Sequence, residues 1–256
     1  MNYLYDGTFD GFLTCVYEHY HSGKADAIAA ENSGFQGNFF TDVCSVETDP
    51  VKADIVAGAI RDKISPYDLK RVYTVFRSCA EKREIKLLRY IILGFKRGAQ
   101  IRLMHTHPDV MPVEQAENKL AFEVHRLCGL VRFSDIQGGI LYSKIDPDND
   151  VLEFLAPHFT ARFHSDPFII HDERRHKALF AYNRRWHIAD FTEADAAGIR
   201  LSESEEEYRA LWRRYFETIS IKERTNPRCQ RTLMPGRYWK NLTEVNNVGI
   251  RNKNNT

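Results

Sequence analysis

The sequence has little of what most readily announces a function. Its formal net charge is only +1 over 256 residues, from 36 basic and 35 acidic side chains. Bulk electrostatics therefore favour no polyanionic partner, and any basic face has to be local. No apolar run approaches the roughly 20 residues that span a bilayer. Met1 to Asp10 carries acids and no basic stretch, so it does not read as a secretion signal. These two absences together lead to an expectation of a cytoplasmic location. Five cysteines, at positions 15, 44, 79, 128 and 229, include no close pair of the kind zinc sites use. They read as reduced thiols. There is no internal repeat, no Gly/Ser linker, no G-x-S-x-G, no H-E-x-x-H, no phosphate loop and no dinucleotide fingerprint.

What is present is ordinary globular composition, 43% hydrophobic and 28% charged. A short strand at Tyr3-Leu4-Tyr5 leads through Asp6-Gly7 into a helix capped by Thr8. The stretch Asn38 to Thr48 is β-prone. Pro50 and Pro66, the latter behind Ser65, sit where helices start. They predict helices over Val51–Ile64 and Tyr67–Cys79, and a third covers Glu84–Lys96. A longer helix, Val113–Leu130, has a core face of Val113, Ala116, Leu120, Val124, Leu127 and Val131, with Glu123, Arg126 and Leu130 off the Val124/Leu127 face. Phe133 to Ile145 reads as strand interrupted by Gly138-Gly139. A helix from Val151 to Phe163 follows, then short strands at Phe168–His171, Leu179–Tyr182 and Trp186–Ala189. Leu201–Ser220 is helical again, with an apolar stripe of Tyr208, Leu211, Trp212, Tyr215 and Ile219. The pattern predicts an α+β fold: a mostly helical body with short antiparallel strands, built as a single compact unit over residues 1–245. Its weakest seam falls at Met104–Pro112, and a polar, disordered tail occupies 246–256.

The most informative segment for function runs from Lys222 to Lys240. It holds six Lys or Arg against one acid, with Tyr238 and Trp239 among them. Cations suit phosphates, and aromatic rings stack on unpaired bases. Arg224, Asn226, Arg228, Arg231, Arg237, Tyr238, Trp239 and Lys240 are thus the candidate nucleic-acid contacts. The competing reading is that these arginines pair with carboxylates elsewhere in the chain. A second basic patch, Arg174, Arg175, Lys177, Arg184 and Arg185, brackets a hairpin and competes with a plain solvated turn. Asp6, Asp10, His125 and Arg126 are the candidate catalytic groups. Asp6 and Asp10 serve equally as turn and cap, and His125-Arg126 equally as a structural pair. His105-Thr106-His107 before Pro108 is read as a polar loop with no metal.

Several strings occur together here: Tyr5-Asp6-Gly7-Thr8-Phe9-Asp10-Gly11-Phe12, Glu123-Val124-His125-Arg126, Ala156-Pro157-His158-Phe159, Arg224-Thr225-Asn226-Pro227 and Met234-Pro235-Gly236-Arg237-Tyr238-Trp239. With them the chain resembles a bacterial family of uncharacterised proteins associated with DNA metabolism and DNA repair. The resemblance runs from Tyr5 to about Glu244. It implies a neighbour, a radical-SAM protein similar to spore photoproduct lyase, and in some members fusion to a uracil-DNA-glycosylase-like domain. It implies no catalytic residues and no cofactor for this chain; an iron–sulfur cluster and S-adenosylmethionine would belong to the partner. The expectation is a DNA-binding accessory protein. An enzyme acting on a DNA base or sugar-phosphate, and a scaffold that docks the partner without touching DNA, are the alternatives.

Overall fold

The computed structural model describes residues 1–31, 42–224 and 226–244. The tail beyond 246 and the start of the β-prone stretch at Asn38 lie outside them. The fold is α+β and rich in helix. It divides into two compact units, Met1–Ala121 and Phe122–Thr256, and the chain passes from one to the other within a long helix.

In the first unit, β1 (Asn2–Tyr5) is the centre of a three-stranded sheet. It pairs in parallel with β2 (Ala27–Ala30) and β3 (Val43–Ser45). Parallel neighbours need a crossover, and α1 (Phe9–His21) supplies the one from β1 to β2. Thr8 caps α1 as its sequence position predicts, accepting the Gly11 N–H at 3.0 Å. The parallel pairing goes beyond the antiparallel strands expected. β2 reads Ala-Ile-Ala-Ala, with one β-branched residue, and gives no strand signal of its own.

α2 (Pro50–Lys63), α3 (Pro66–Phe76) and α4 (Arg83–Arg97) follow, two of them starting at the prolines that predict them. The long helix α5 (Met111–Leu130) comes next. Phe9, Phe12 and Phe76 pack edge-on and stacked in the core, with Val72, Leu87 and Ile91 fully buried around it.

A polar network crosses this helical core. The Asp68 carboxylate is completely buried. It accepts the Ser65 hydroxyl, the Ser65 oxygen in turn accepting the Asp68 N–H. It also accepts the Tyr90 hydroxyl at 2.6 Å. Arg71 donates to Tyr90 at 3.2 Å, to Glu114 at 3.2 Å and to Glu117 at 2.8 Å. A buried charge is tolerable only when its lone pairs are met this fully.

In the second unit, five strands lie in the order β4-β5-β6-β7-β8. They are β4 (Ser134–Ile136), β5 (Ile140–Ile145), β6 (Phe168–Asp172), β7 (Lys177–Tyr182) and β8 (Arg185–Asp190). All neighbours are antiparallel except β5 and β6, which are joined by the crossover α6 (Leu152–Arg162). Gly138 and Gly139, both at positive φ, make the β4–β5 turn. Asn183 and Arg184 do the same for β7–β8, at φ 49° and 63°. Two left-handed residues in a two-residue loop give the turn that best matches strand twist. Phe159, Phe163 and Phe168 converge on Phe133, with ring centroids 5.0–5.8 Å from it. α7 (Glu193–Ala197), α8 (Glu205–Ile219) and α9 (Pro227–Leu233) complete the unit. Among the described residues, no helix is long and apolar enough to cross a membrane.

Tyr90→Phe removes one of the donors that satisfy Asp68. It is expected to lower stability by about 1–3 kcal/mol, seen as a lower urea midpoint at unchanged slope.

Candidate nucleic-acid interface

The loop Asp146-Pro147-Asp148-Asn149-Asp150 and one helix residue organise the second unit. Glu123 lies on α5, where the sequence pattern sets it off the core face, yet it is only 4% exposed. Its carboxylate accepts the backbone N–H groups of Asp148 at 2.9 Å and Asn149 at 2.8 Å. It also accepts Asn149 Nδ2 at 2.6 Å, the Tyr238 hydroxyl at 2.6 Å and Arg237 Nη2 at 2.8 Å. Burial alone would raise its pKa; the bonds from Tyr238, Asp148 and Asn149 outweigh burial and hold it below the usual carboxylate value.

The same loop collects four of the ten cations that the sequence offers to DNA. Arg237 also bonds Asp148. Lys240 reaches Asp146 at 3.2 Å and Glu173 at 3.0 Å. Arg174 spans Asp146 and Asp148, both at 3.1 Å. Arg175 bonds Asp172 at 3.0 Å and the backbone carbonyls of Pro147 and Asp148. The two basic clusters thus meet at one acidic loop. Tyr238 is buried, and the Trp239 indole N–H donates to the Met234 carbonyl at 2.9 Å.

The remaining predicted contacts are distributed differently. Arg184 and Arg185 are exposed at the tip of the β7–β8 hairpin, and Arg224, Arg228 and Arg231 are exposed on the Lys222–Arg224 turn and α9. None of these five forms an ion pair among the described residues. Lys177 faces Asp190 in register across β7 and β8. Asn226 caps α9 through the Cys229 N–H at 3.0 Å. Thr225 lies outside the described residues.

The candidate catalytic groups fall in both units. Asp6 and Asp10 belong to the first. Asp6 accepts Thr8 N–H at 2.9 Å, Thr8 Oγ1 at 2.7 Å and Thr48 Oγ1 at 2.8 Å, the bonding of a turn. Burial would raise its pKa, but these bonds lower it. Asp10 sits in the first turn of α1. In the second unit His125 is exposed on α5, and Arg126 donates to the Thr232 carbonyl at 3.4 Å. In the polar loop of the first unit, His105 is paired with Glu114 at 3.0 Å. No cluster of metal-ligating side chains occurs among the described residues.

Sequence reasoning missed the feature that stands out most. The stripe of α8 is not buried: Tyr208 is 62% exposed and Tyr215 54%. It forms one wall of a groove of about 810 Å³ whose other wall includes Phe133 and Phe163. Arg132, Arg162 and Arg209 line the same groove. Two buried carboxylates fix this arrangement. Glu205 accepts the Asp135 N–H and Arg209 Nε, tying α8 to β4. Glu244 accepts Arg132 and the Trp212 indole N–H at 3.0 Å, tying α8 to the C-terminal segment. Arg132 lies over the Trp212 ring, 5.5 Å from its centroid. Periodicity alone reveals such a stripe but not whether a partner element covers it.

Fold and site together define an α+β protein with a ring-lined, arginine-edged groove in its second unit. Residues 81–244 match the model of a family described as a domain of unknown function, DUF4130, and the chain belongs to that family. No curated protein matches it. Among solved structures, a pGpG-specific phosphodiesterase, PggH from Vibrio cholerae, aligns with 70% of this chain and 81% of its own at 8% identity. Its TM-score is 0.34, a likeness that carries no argument.

Glu123→Gln places an amide among donors that need a carboxylate. It is expected to destabilise the protein by about 3–5 kcal/mol, measured by urea unfolding at neutral pH. In the wild type, the depressed pKa means that Glu123 contributes its stability above the ordinary carboxylate value of 4.5. That contribution is lost as pH falls through the lower folded value. The acid side of the stability–pH curve should therefore be flatter in Glu123→Gln than in the wild type.

Proposed function

We propose that this protein binds single-stranded or locally unpaired DNA in the α8 groove, as an accessory to a DNA-repair or DNA-modifying enzyme. One observation carries the reading: exposed rings on α8 face a second aromatic wall, with three arginines along the same groove. Tyr208, Trp212 and Tyr215 offer the flat faces that unpaired bases stack on; Arg162 offers charge to the phosphates between them, flanked by Arg132 and Arg209, which are also held by Glu244 and Glu205. Bases inside a duplex present no faces, so the rings favour unpaired strands. The exposed arginines Arg184, Arg185, Arg224, Arg228 and Arg231, which form no ion pair among the described residues, are further cations open to phosphates. The partner we propose is the radical-SAM protein implied by the family resemblance.

Binding of a short single strand should weaken with salt, with a log–log slope of roughly −2 for three phosphate contacts. The pair of changes Tyr208→Ala and Tyr215→Ala should cost at least about 30-fold in affinity, at little cost to a fold that leaves both rings in solvent. Absence of binding at low salt, with the partner enzyme still captured, would select the docking reading and overturn this one.

A further inference from the structure

Beside the aromatic groove lies a second cleft of the same unit, of about 540 Å³, and the two share Arg132, Arg209 and Thr243. Its lining includes Tyr142, Ser143 and Lys144 of β5, and residues of α8 and of the segment Lys240–Thr243. Five cations line it, Arg132, Lys144, Arg209, Arg213 and Lys240, against the single carboxylate Glu206. Each of these cations has an acidic partner: Glu244 for Arg132, Glu205 for Arg209, Glu173 for Lys144, Asp146 and Glu173 for Lys240, and Glu206 for Arg213; of these carboxylates Glu206 alone lines the cleft. Glu206 itself is mostly in solvent.

Two of the three unmet buried polar atoms among the described residues belong to side chains that line this cleft. Buried side-chain polar atoms without a hydrogen-bond partner among the described residues are Ser143 Oγ, Arg213 Nε and His171 Nε2. Ser143, 2% exposed, and Arg213 both line the cleft. His171 is one hydrogen bond away: its Nδ1 is 2.9 Å from the hydroxyl of Tyr142, which also lines it. Folded proteins rarely leave such atoms unmet by protein, ordered water or a bound group. The Arg213 N–H is a donor, and the Ser143 hydroxyl can be one. What both lack is an acceptor, and the surrounding charge asks for an anionic one.

We infer that this cleft binds a phosphomonoester, the terminal phosphate of a DNA strand or of a nucleotide. The inference rests on the groove reading for the source of that phosphate but not for the cleft's chemistry. A monoester presents three acceptor oxygens and about two negative charges, which suit five lining cations better than the single charge of an internal diester. The volume is in the range of small-molecule sites. The shared residues let a strand whose bases lie in the groove deliver its end to the cleft. The protein would then recognise strand ends or nicks.

The test compares otherwise identical short single strands carrying a 5′-phosphate, a 3′-phosphate or no terminal phosphate, with dAMP, deoxyadenosine and inorganic phosphate titrated separately. One phosphorylated end should bind at least about tenfold tighter than the unphosphorylated strand. Ser143→Ala and Arg213→Lys should abolish the preference while keeping affinity for the unphosphorylated strand. Ser143→Ala removes an unpaired buried hydroxyl, so it should melt no lower than the wild type, which separates lost binding from lost folding. Equal binding of all three strands overturns the phosphomonoester site and leaves the groove reading standing. If no strand binds but dAMP does, with a loss in both variants, the cleft stands and the groove reading falls. dAMP binding as tightly as the phosphorylated strand makes a free nucleotide the source. Failure of every strand and of dAMP overturns both.

Discussion

A single buried carboxylate fixes the second unit. Glu123 projects from α5 into a position where five donors meet it: two backbone N–H groups, an asparagine amide, a tyrosine hydroxyl and a guanidinium. Left alone at 4% exposure it would be untenable. Surrounded as it is, it pins the acidic loop at 146–150 and the C-terminal segment to one helix. The loop's own aspartates then hold Arg174, Arg237 and Lys240. A segment that looks like a basic arm is in this way folded back as the keystone of the unit.

This has a consequence for where the protein can touch an anion. Arg237, Arg174 and Arg175 are committed to carboxylates, and a phosphate reaching them would have to compete with partners already in place. Among the described residues, the predicted arginine contacts that form no ion pair lie elsewhere, at the hairpin tip, on the Lys222–Arg224 turn and on α9. The rings of α8 are among those that remain in solvent, whereas Tyr238 is buried. Glu205, by accepting the Asp135 N–H, and Glu244, by accepting the Trp212 indole N–H, hold α8 with its stripe outward. The exposed aromatic face is therefore built, and its neighbouring cleft concentrates unmet donors beside it. This gives recognition a physical basis that net charge does not.

Much of the fold was legible in the chain, and the reasons are local. Thr8, Ser65, Pro50 and Pro66 mark helix starts because capping and proline geometry depend on adjacent residues. The strands β6, β7 and β8 announce themselves by β-branched and aromatic runs. β2 did not, because alanines carry no strand signal and its pairing with β1 is decided by the crossover. The site was harder. Charge in Lys222–Lys240 is visible, but the carboxylates that take it lie some 90 to 115 positions earlier in the chain. The stripe of α8 is visible too, yet whether a stripe faces core or solvent depends on what the rest of the chain brings to it. Glu123 shows the converse: a charged residue off the apolar face became the most heavily bonded group in the unit.

On the proposed reading α8, rather than the Arg237–Lys240 segment, meets nucleic acid. Photo-crosslinking to a single strand carrying 5-iodouracil, with the adducts mapped by mass spectrometry, tests it directly. Adducts on Tyr208, Trp212 or Tyr215 are the predicted result. Adducts confined to Trp239 and its neighbours, with none along α8, would contradict it.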